Sequence, residues 1–185
     1  SGYLNYSNFN NDITKIIYDT IRICEAFHPK GKGIIHTSTF NIAKLLKDVV
    51  YQKLGGVTNT KRYLFYETPE EKEACVELMK SDTITPYIII GPSLYEGLDL
   101  KDDQGRFNIM MKVPYSGMSE YIKKKMERYP FWYLRQTLEK IVQALGRTNR
   151  HVNDYSKVYL LDSGFEKIIY NMPEYLTNRI QYKKI

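Results

Sequence analysis

Tyr87-Ile88-Ile89-Ile90-Gly91-Pro92-Ser93-Leu94-Tyr95-Glu96-Gly97-Leu98-Asp99-Leu100 decides the fold. Its first four residues are too apolar for a strand with one wet face, and a polar loop begins as soon as the run ends. Working outward, Gly33-Ile34-Ile35-His36-Thr37, Arg62-Tyr63-Leu64-Phe65-Tyr66, Phe107 to Val113 and Lys157 to Asp162 repeat the pattern of a short strand-forming run. Helical signals stand between these runs. Ile42, Leu45, Leu46 and Val49 recur at helical spacing, and Gly55-Gly56 ends that segment. Thr68-Pro69-Glu70-Glu71 is a capping box with proline at the first helical position, so it opens a helix through Met79. Ahead of the first strand, Ile13, Ile16, Ile17, Ile21 and Cys24 predict a helix from Asn11 to Phe27, stopped by Pro29-Lys30-Gly31. Behind the last, Glu166 to Ile185 reads as one or two short helices around Pro173. Alternating helices and apolar strands define an α/β fold with a mostly parallel sheet covered by helices on both faces.

Ligands of such sheets collect at the carboxyl ends of the strands, which puts the Ser93–Asp99 loop and the Thr37-Ser38-Thr39 turn on one edge. Ser93 can donate to a phosphate and Gly97 permits close approach. Glu96 and Asp99 can accept from sugar hydroxyls or fix an arginine. The hydroxyls of the turn suit a phosphate at a helix start, and they suit plain N-capping equally.

A segment from about Phe131 to Arg150 reads as an amphipathic helix with Leu134, Leu138, Ile141, Val142 and Leu145 on its buried face. Gln143, Arg147 and Arg150 then share the opposite face at i, i+4 and i+7. Two guanidiniums one turn apart with no carboxylate placed to neutralise both suit a phosphoryl group, with Gly146 leaving room beside them. A solvated basic helix end is the plainer alternative. Just upstream, Lys123-Lys124-Lys125 and Arg128 run into Tyr129, Phe131, Trp132 and Tyr133. Cations beside aromatic rings fit a single-stranded nucleic acid, and they fit equally a solvated helix joined to an aromatic core segment.

At 185 residues and 43% hydrophobic, the chain can bury one sizeable core. Its net charge of +6 favours a polyanionic partner without naming one. No stretch reaches the length of a transmembrane helix and no signal peptide is present, so a membrane is not an expected partner. Cys24 and Cys75 lack metal-ligand spacing and fit two buried thiols of a reducing, cytoplasmic compartment, and no metal site is expected. The opening Ser1-Gly2, without methionine, suggests a piece of something longer. Seventeen tyrosines carry no functional reading.

The order of motifs says more than any one of them. A hydroxyl turn is followed by Ser93-x-x-Glu96-Gly97-x-Asp99, then Val113-Pro114-Tyr115, then Gln143-x-x-Gly146-Arg147-x-x-Arg150. This order closely resembles the second motor domain of superfamily 2 helicases of the XPD/DinG-like branch, from about Gly33 to Met172. Glu67-Thr68 and Gly105-Arg106 fall within the likeness. The resemblance implies a RecA-like three-layer domain at 33–172, with a helical lead-in at 1–32 and a helical tail at 173–185. It implies that Arg147 and Arg150 act as arginine fingers with Gln143 beside them, and that Glu96, Gly97, Asp99 and Gly146 lie against the nucleotide. Thr37, Ser38, Thr39 and Ser93 would hold the phosphates of a tracking single-stranded DNA, with Lys123 and Lys124 adding charge. The implied cofactors are ATP and Mg2+, held mainly by an N-terminal motor domain of the same parent chain, which could also carry an iron-sulfur cluster. Translocation is expected to run 5′ to 3′, in the cytoplasm or in a eukaryotic nucleus.

Two positions depart from the pattern: Asp154-Tyr155-Ser156 stands for the usual Asp-x-Gly, and Asp162-Ser163-Gly164 for the usual Asp-x-Arg. The chain also has no loop ending Gly-Lys-Ser/Thr and no Asp-Glu pair of the Asp-Glu-Ala-His type, so alone it is expected not to hydrolyse ATP. Two alternatives stay open: a basic nucleic-acid-binding module without ATP coupling, and a translocase subunit of a repair or restriction complex.

Overall fold

A computed structural model describes residues 6–55, 60–148, 154–178 and 180–181. Strands β1 (Gly33–His36), β2 (Tyr63–Phe65), β3 (Ile88–Gly91), β4 (Phe107–Met110) and β5 (Lys157–Leu160) form one parallel sheet in the order β2-β3-β1-β4-β5. Every residue of β1, β3 and β4 is buried, as continuous apolar runs require, whereas the edge strand β5 is half exposed. The helices are α1 (Tyr6–Arg22), α2 (Phe40–Leu54), α3 (Pro69–Ser81), α4 (Glu120–Arg128), α5 (Trp132–Leu145), α6 (Gly164–Ile169) and α7 (Glu174–Thr177).

Alternation along each strand builds the two faces. Ile35, Ile88, Ile90, Phe107 and Ile109 join Ile13, Ile16, Ile17 and Ile21 of α1 and Ile42, Leu46 and Val50 of α2. Residues read as a lead-in thus supply part of the core over this face. Ile34 and Ile89 turn the other way, to Met79 of α3 and to Leu94, Leu98 and Leu100. Beside them Met110 packs on Ile141 and Ala144 of α5 and on Phe165 and Ile168 of α6. Ile34, Ile35, Ile89 and Ile90 are fully buried, and cutting any of them to alanine costs about 2–5 kcal/mol.

Local chemistry sets the helix ends. Thr39 caps α2 by accepting from the Ile42 amide at 3.3 Å, and Gly55 closes it at φ 76°. The box at Thr68 forms in both directions, Glu71 N–H to Thr68 Oγ1 at 3.2 Å and Thr68 N–H to Glu71 Oε2 at 3.3 Å. From β1 the chain moves out to β2 and returns to β3, while from β4 it moves the opposite way to β5. The loops leaving β1 and β4 therefore diverge and open a crevice at the carboxyl edge.

Two expectations change. The strand expected to reach Val113 stops at Met110; Met111 still donates to His36 O at 3.1 Å, and the Val113 amide turns to Asp162 Oδ2 at 3.2 Å. The helix expected to reach Arg150 ends at Leu145 in a tighter 3-10 turn, Gly146–Thr148, so Gln143 and Arg147 do not share one α-helical face. Gln143 is exposed, while Arg147 is half-buried and turned back onto the Ser93–Leu100 loop. Arg150 lies outside the described residues.

Candidate functional site

The loop after β3 is anchored from below and open above. Leu94, Leu98 and Leu100 are fully buried, which leaves Ser93, Glu96, Gly97 and Asp99 exposed. Its turns need left-handed backbone at Ser93 (φ 57°) and Gly97 (φ 73°), and only the second suits its residue without cost. Gly91 precedes it because a Cβ there would meet the Tyr66 ring at 2.4 Å, and the Tyr66 hydroxyl donates to Pro92 O to fix the loop's entry.

Two cations hold the loop by its carbonyls. Arg147 donates from Nε to Tyr95 O at 2.7 Å and from Nη1 to Leu98 O at 3.0 Å. Lys72, on α3, donates from Nζ to Ser93 O and Glu96 O, each at 3.0 Å. Neutral carbonyls do not cancel a guanidinium's charge, and no carboxylate among the described residues lies within ion-pair distance of Arg147. Gly97 and Gly146 face open space, with nothing within 4 Å of where a Cβ would stand. Arg147 therefore keeps a full positive charge beside an uncovered surface.

The crevice at the ends of β1, β3 and β4 has a volume of about 50 Å³ and is lined among others by His36, Ser38, Ser93, Lys112, Tyr115 and Lys140. That volume admits one small polar group, not a base or sugar. His36 is 4% exposed, and neither ring nitrogen has a hydrogen-bond partner. Burial first, then the positive charges of Arg147 and Lys72, pushes its pKa down to about 3. Asn108 opposes that shift without the geometry of a hydrogen bond. The neutral ring so produced carries one donor and one acceptor, both buried beside the crevice.

The turn residues divide. Ser38, in left-handed backbone at φ 65°, lines the crevice and reaches Lys112 O at 3.3 Å. Thr37 is fully buried with its hydroxyl on Thr39 O at 3.0 Å, which gives it a local role beneath the surface, and Thr39 Oγ1 serves as the cap of α2. Lys123 and Lys124 are exposed on α4, apart from the crevice lining. One aromatic face beside them is already taken, with Lys125 4.1 Å above the Trp132 ring, while Tyr129, 5.6 Å from Arg128, stays exposed. Tyr115 stacks on Tyr133 at 5.8 Å, and Lys140 Nζ donates to Ser116 Oγ at 2.7 Å, which ties α5 to the crevice rim.

At the first departure from the resembled pattern Ser156 Oγ meets Thr148 Oγ1 at 2.7 Å, and at both the aspartate that is kept has a basic partner. Asp154, its side chain fully buried, pairs with Arg106 at 3.1 Å. Asp162 has Lys112 at 3.5 Å in place of an arginine two residues on, and it also receives the amides of Val113 and Gly164. His36, Lys72, Lys112 and Lys140 are the site's additions to what the sequence offered. Only His36 left a trace there, as the one polar residue closing an apolar strand.

The family described as the helicase C-terminal domain matches residues 22–181. This chain belongs to the helicase C-terminal domain family. The ATP-dependent DNA helicase CHL1 of Kluyveromyces lactis is 24% identical over 97% of this chain and 24% of its own length. The mouse (Mus musculus) ATP-dependent DNA helicase DDX11 is 27% identical over 51% of the chain and 12% of its own. The chain thus spans about a quarter or less of the curated relatives it matches. Among solved structures, an XPD helicase superposes with a TM-score of 0.67 at 18% identity, over 94% of this chain and 32% of its own. The Xpd4 structure from S. tokodaii gives 0.64 at 19% identity, over 92% and 35%. The fold is RecA-like, and the domain is of the XPD/DinG-like superfamily 2 type. No helix among the described residues is long and apolar enough to cross a membrane.

Proposed function

We propose that this chain is the second motor domain of an ATP-dependent DNA helicase or translocase, and that it closes over a nucleotide held mainly by a first motor domain. One observation carries the reading: Arg147 is half-buried, rests on two neutral carbonyls and keeps its charge beside an open face. A guanidinium so placed exchanges carbonyl oxygens for phosphoryl oxygens at a net gain, because charge-assisted bidentate bonds are stronger than bonds to neutral acceptors. It would then stabilise negative charge developing on a transferring phosphoryl group.

Gln143 and Arg150 stand nearby in sequence as further donors, and Glu96, Gly97, Asp99 and Gly146 would wall the face beside Arg147. The sequence has neither a loop ending Gly-Lys-Ser/Thr nor an Asp-Glu pair, and on this reading the phosphate cradle and Mg2+ would be held mainly by the first motor domain. An iron-sulfur cluster would belong there too. The chain alone is then inactive in ATP hydrolysis, whose free energy the full motor uses. Single-stranded DNA, tracked 5′ to 3′, would cross the carboxyl edge. One phosphate there meets Ser38 and Ser93 with Lys112, Lys140 and neutral His36 around it, and Lys123 and Lys124 would add charge along the track.

A second reading, a basic nucleic-acid-binding module without ATP coupling, draws on exposed Tyr121, Tyr129 and Phe131 beside the lysines of α4. ATP hydrolysis by the full-length protein, with and without single-stranded DNA, separates the two. DNA-stimulated turnover supports the motor. Tight, salt-dependent DNA binding with no hydrolysis in either condition supports the module and overturns the motor.

A further inference from the structure

We infer that Lys72 is a positioning residue that holds the Ser93–Asp99 loop in shape while Arg147 leaves it, linking the crevice to the nucleotide face. This rests on the role given to Arg147 above. Four carbonyls in six residues meet two cations in an interleaved order: Ser93 and Glu96 go to Lys72, Tyr95 and Leu98 to Arg147. The cations come from separate elements over the same sheet face, α3 and the turn after α5.

The two ends of the clamp are not equivalent. Lys72 holds the carbonyl of Ser93, whose side chain lines the crevice. Arg147 holds Leu98 O, between Gly97 and Asp99. The cations repel each other across the loop. Burial and the charge of Arg147 lower the Lys72 pKa, while Glu96 raises it. A phosphoryl group outcompetes neutral carbonyls for Arg147 but leaves Lys72 with no nearer acceptor. Departure of Arg147 therefore removes two ties and the repulsion together, and Lys72 grips more firmly as Arg147 lets go. Without Lys72, nothing in this pair holds Ser93 in its left-handed conformation once Arg147 has moved.

Amide hydrogen exchange on the chain tests the clamp directly, in wild type, Lys72→Met, Arg147→Ala, the double variant and Lys72→Arg. Lys72→Met keeps the stem and is expected to speed exchange at residues 93–99 by about fivefold or more while β1 is unchanged, with the double variant faster than either single one. Lys72→Arg, which restores charge and donors, is expected to return exchange to within about twofold of wild type. In the full-length protein, Lys72→Met is expected to raise the KM for single-stranded DNA about fivefold and to move the KM for ATP by less than about twofold. Exchange equal to wild type in Lys72→Met, or the two KM values rising together, overturns the clamp. If exchange responds but the full-length wild type shows no DNA-stimulated hydrolysis, the motor reading falls and the clamp stands.

Discussion

Arg62 and Arg147 perform the same local task at opposite edges of one sheet, and they end it in different states. Each guanidinium gathers backbone carbonyls, and each sits near a histidine that burial and positive charge keep neutral. At the amino edge Arg62 serves Pro86 O at 3.2 Å, Pro29 O at 3.0 Å, His28 O at 2.8 Å and Gly31 O at 3.1 Å. It also has a counter-charge, Glu25 at 3.5 Å. Its histidine, His28, meets the Tyr159 hydroxyl at 2.9 Å and stacks on Phe107 at 4.4 Å. At the carboxyl edge Arg147 serves two carbonyls without a carboxylate, and its histidine has no partner. A structural arginine uses its donors and is neutralised, whereas one intended for an incoming anion keeps charge in reserve.

The contrast breaks most visibly in the variants of the two arginines. Arg147→Ala in the full-length protein is expected to lose on the order of 10³ in ATP turnover with an unfolding midpoint close to wild type. Arg62→Ala is expected to do the reverse. It leaves the half-buried carbonyls of His28, Gly31 and Pro86 without their donor, costing about 1–3 kcal/mol in urea unfolding, while leaving per-molecule turnover of the folded protein near wild type. Equal stability losses in both variants would merge the two arginines into one class.

Smaller effects sharpen the picture at the carboxyl edge. Gly91→Ala forces a Cβ to within 2.4 Å of the Tyr66 ring, which should cost about 1–3 kcal/mol in urea unfolding and loosen the entry to the loop. Acid titration separates the histidines. His36 binds a proton near pH 6.5 when unfolded and only at about 3 when folded, so the unfolded chain carries the extra proton between these values. Its contribution to stability is complete above about 6.5 and is lost as pH falls toward 3, with a slope of ~1.4 kcal/mol per pH unit for one proton. His28, lowered to about 4, acts in the same direction. Urea unfolding of His36→Gln from pH 7 to pH 4 should show that slope reduced by about one proton.

The fold was legible because its strands are short apolar runs whose alternation can be satisfied only by covering both faces. Ile34 and Ile35 go to opposite sides for that reason, and the capping box at Thr68 begins its helix where the residues require. The site was legible as a set of positions but not as an arrangement. Helical periodicity put Gln143 and Arg147 on a common face. The chain instead tightens at Gly146, where the guanidinium finds carbonyls contributed by a loop some fifty residues earlier. Periodicity carries no information about acceptors so distant in sequence. Lys72 was hidden for the same reason, since inside its helix it is one more charged residue after a capping box. Thr37 and Thr39 could not be told from Ser38 in sequence. Only the packing shows which hydroxyls are spent on the turn itself.

The most direct measurement is ATP turnover by the full-length protein at saturating single-stranded DNA, with Arg147→Ala and Arg62→Ala compared at a temperature where both are folded. A loss of about 10³ confined to Arg147→Ala is the expected result. Turnover in Arg147→Ala equal to that of wild type would contradict the reserve of charge assigned to Arg147.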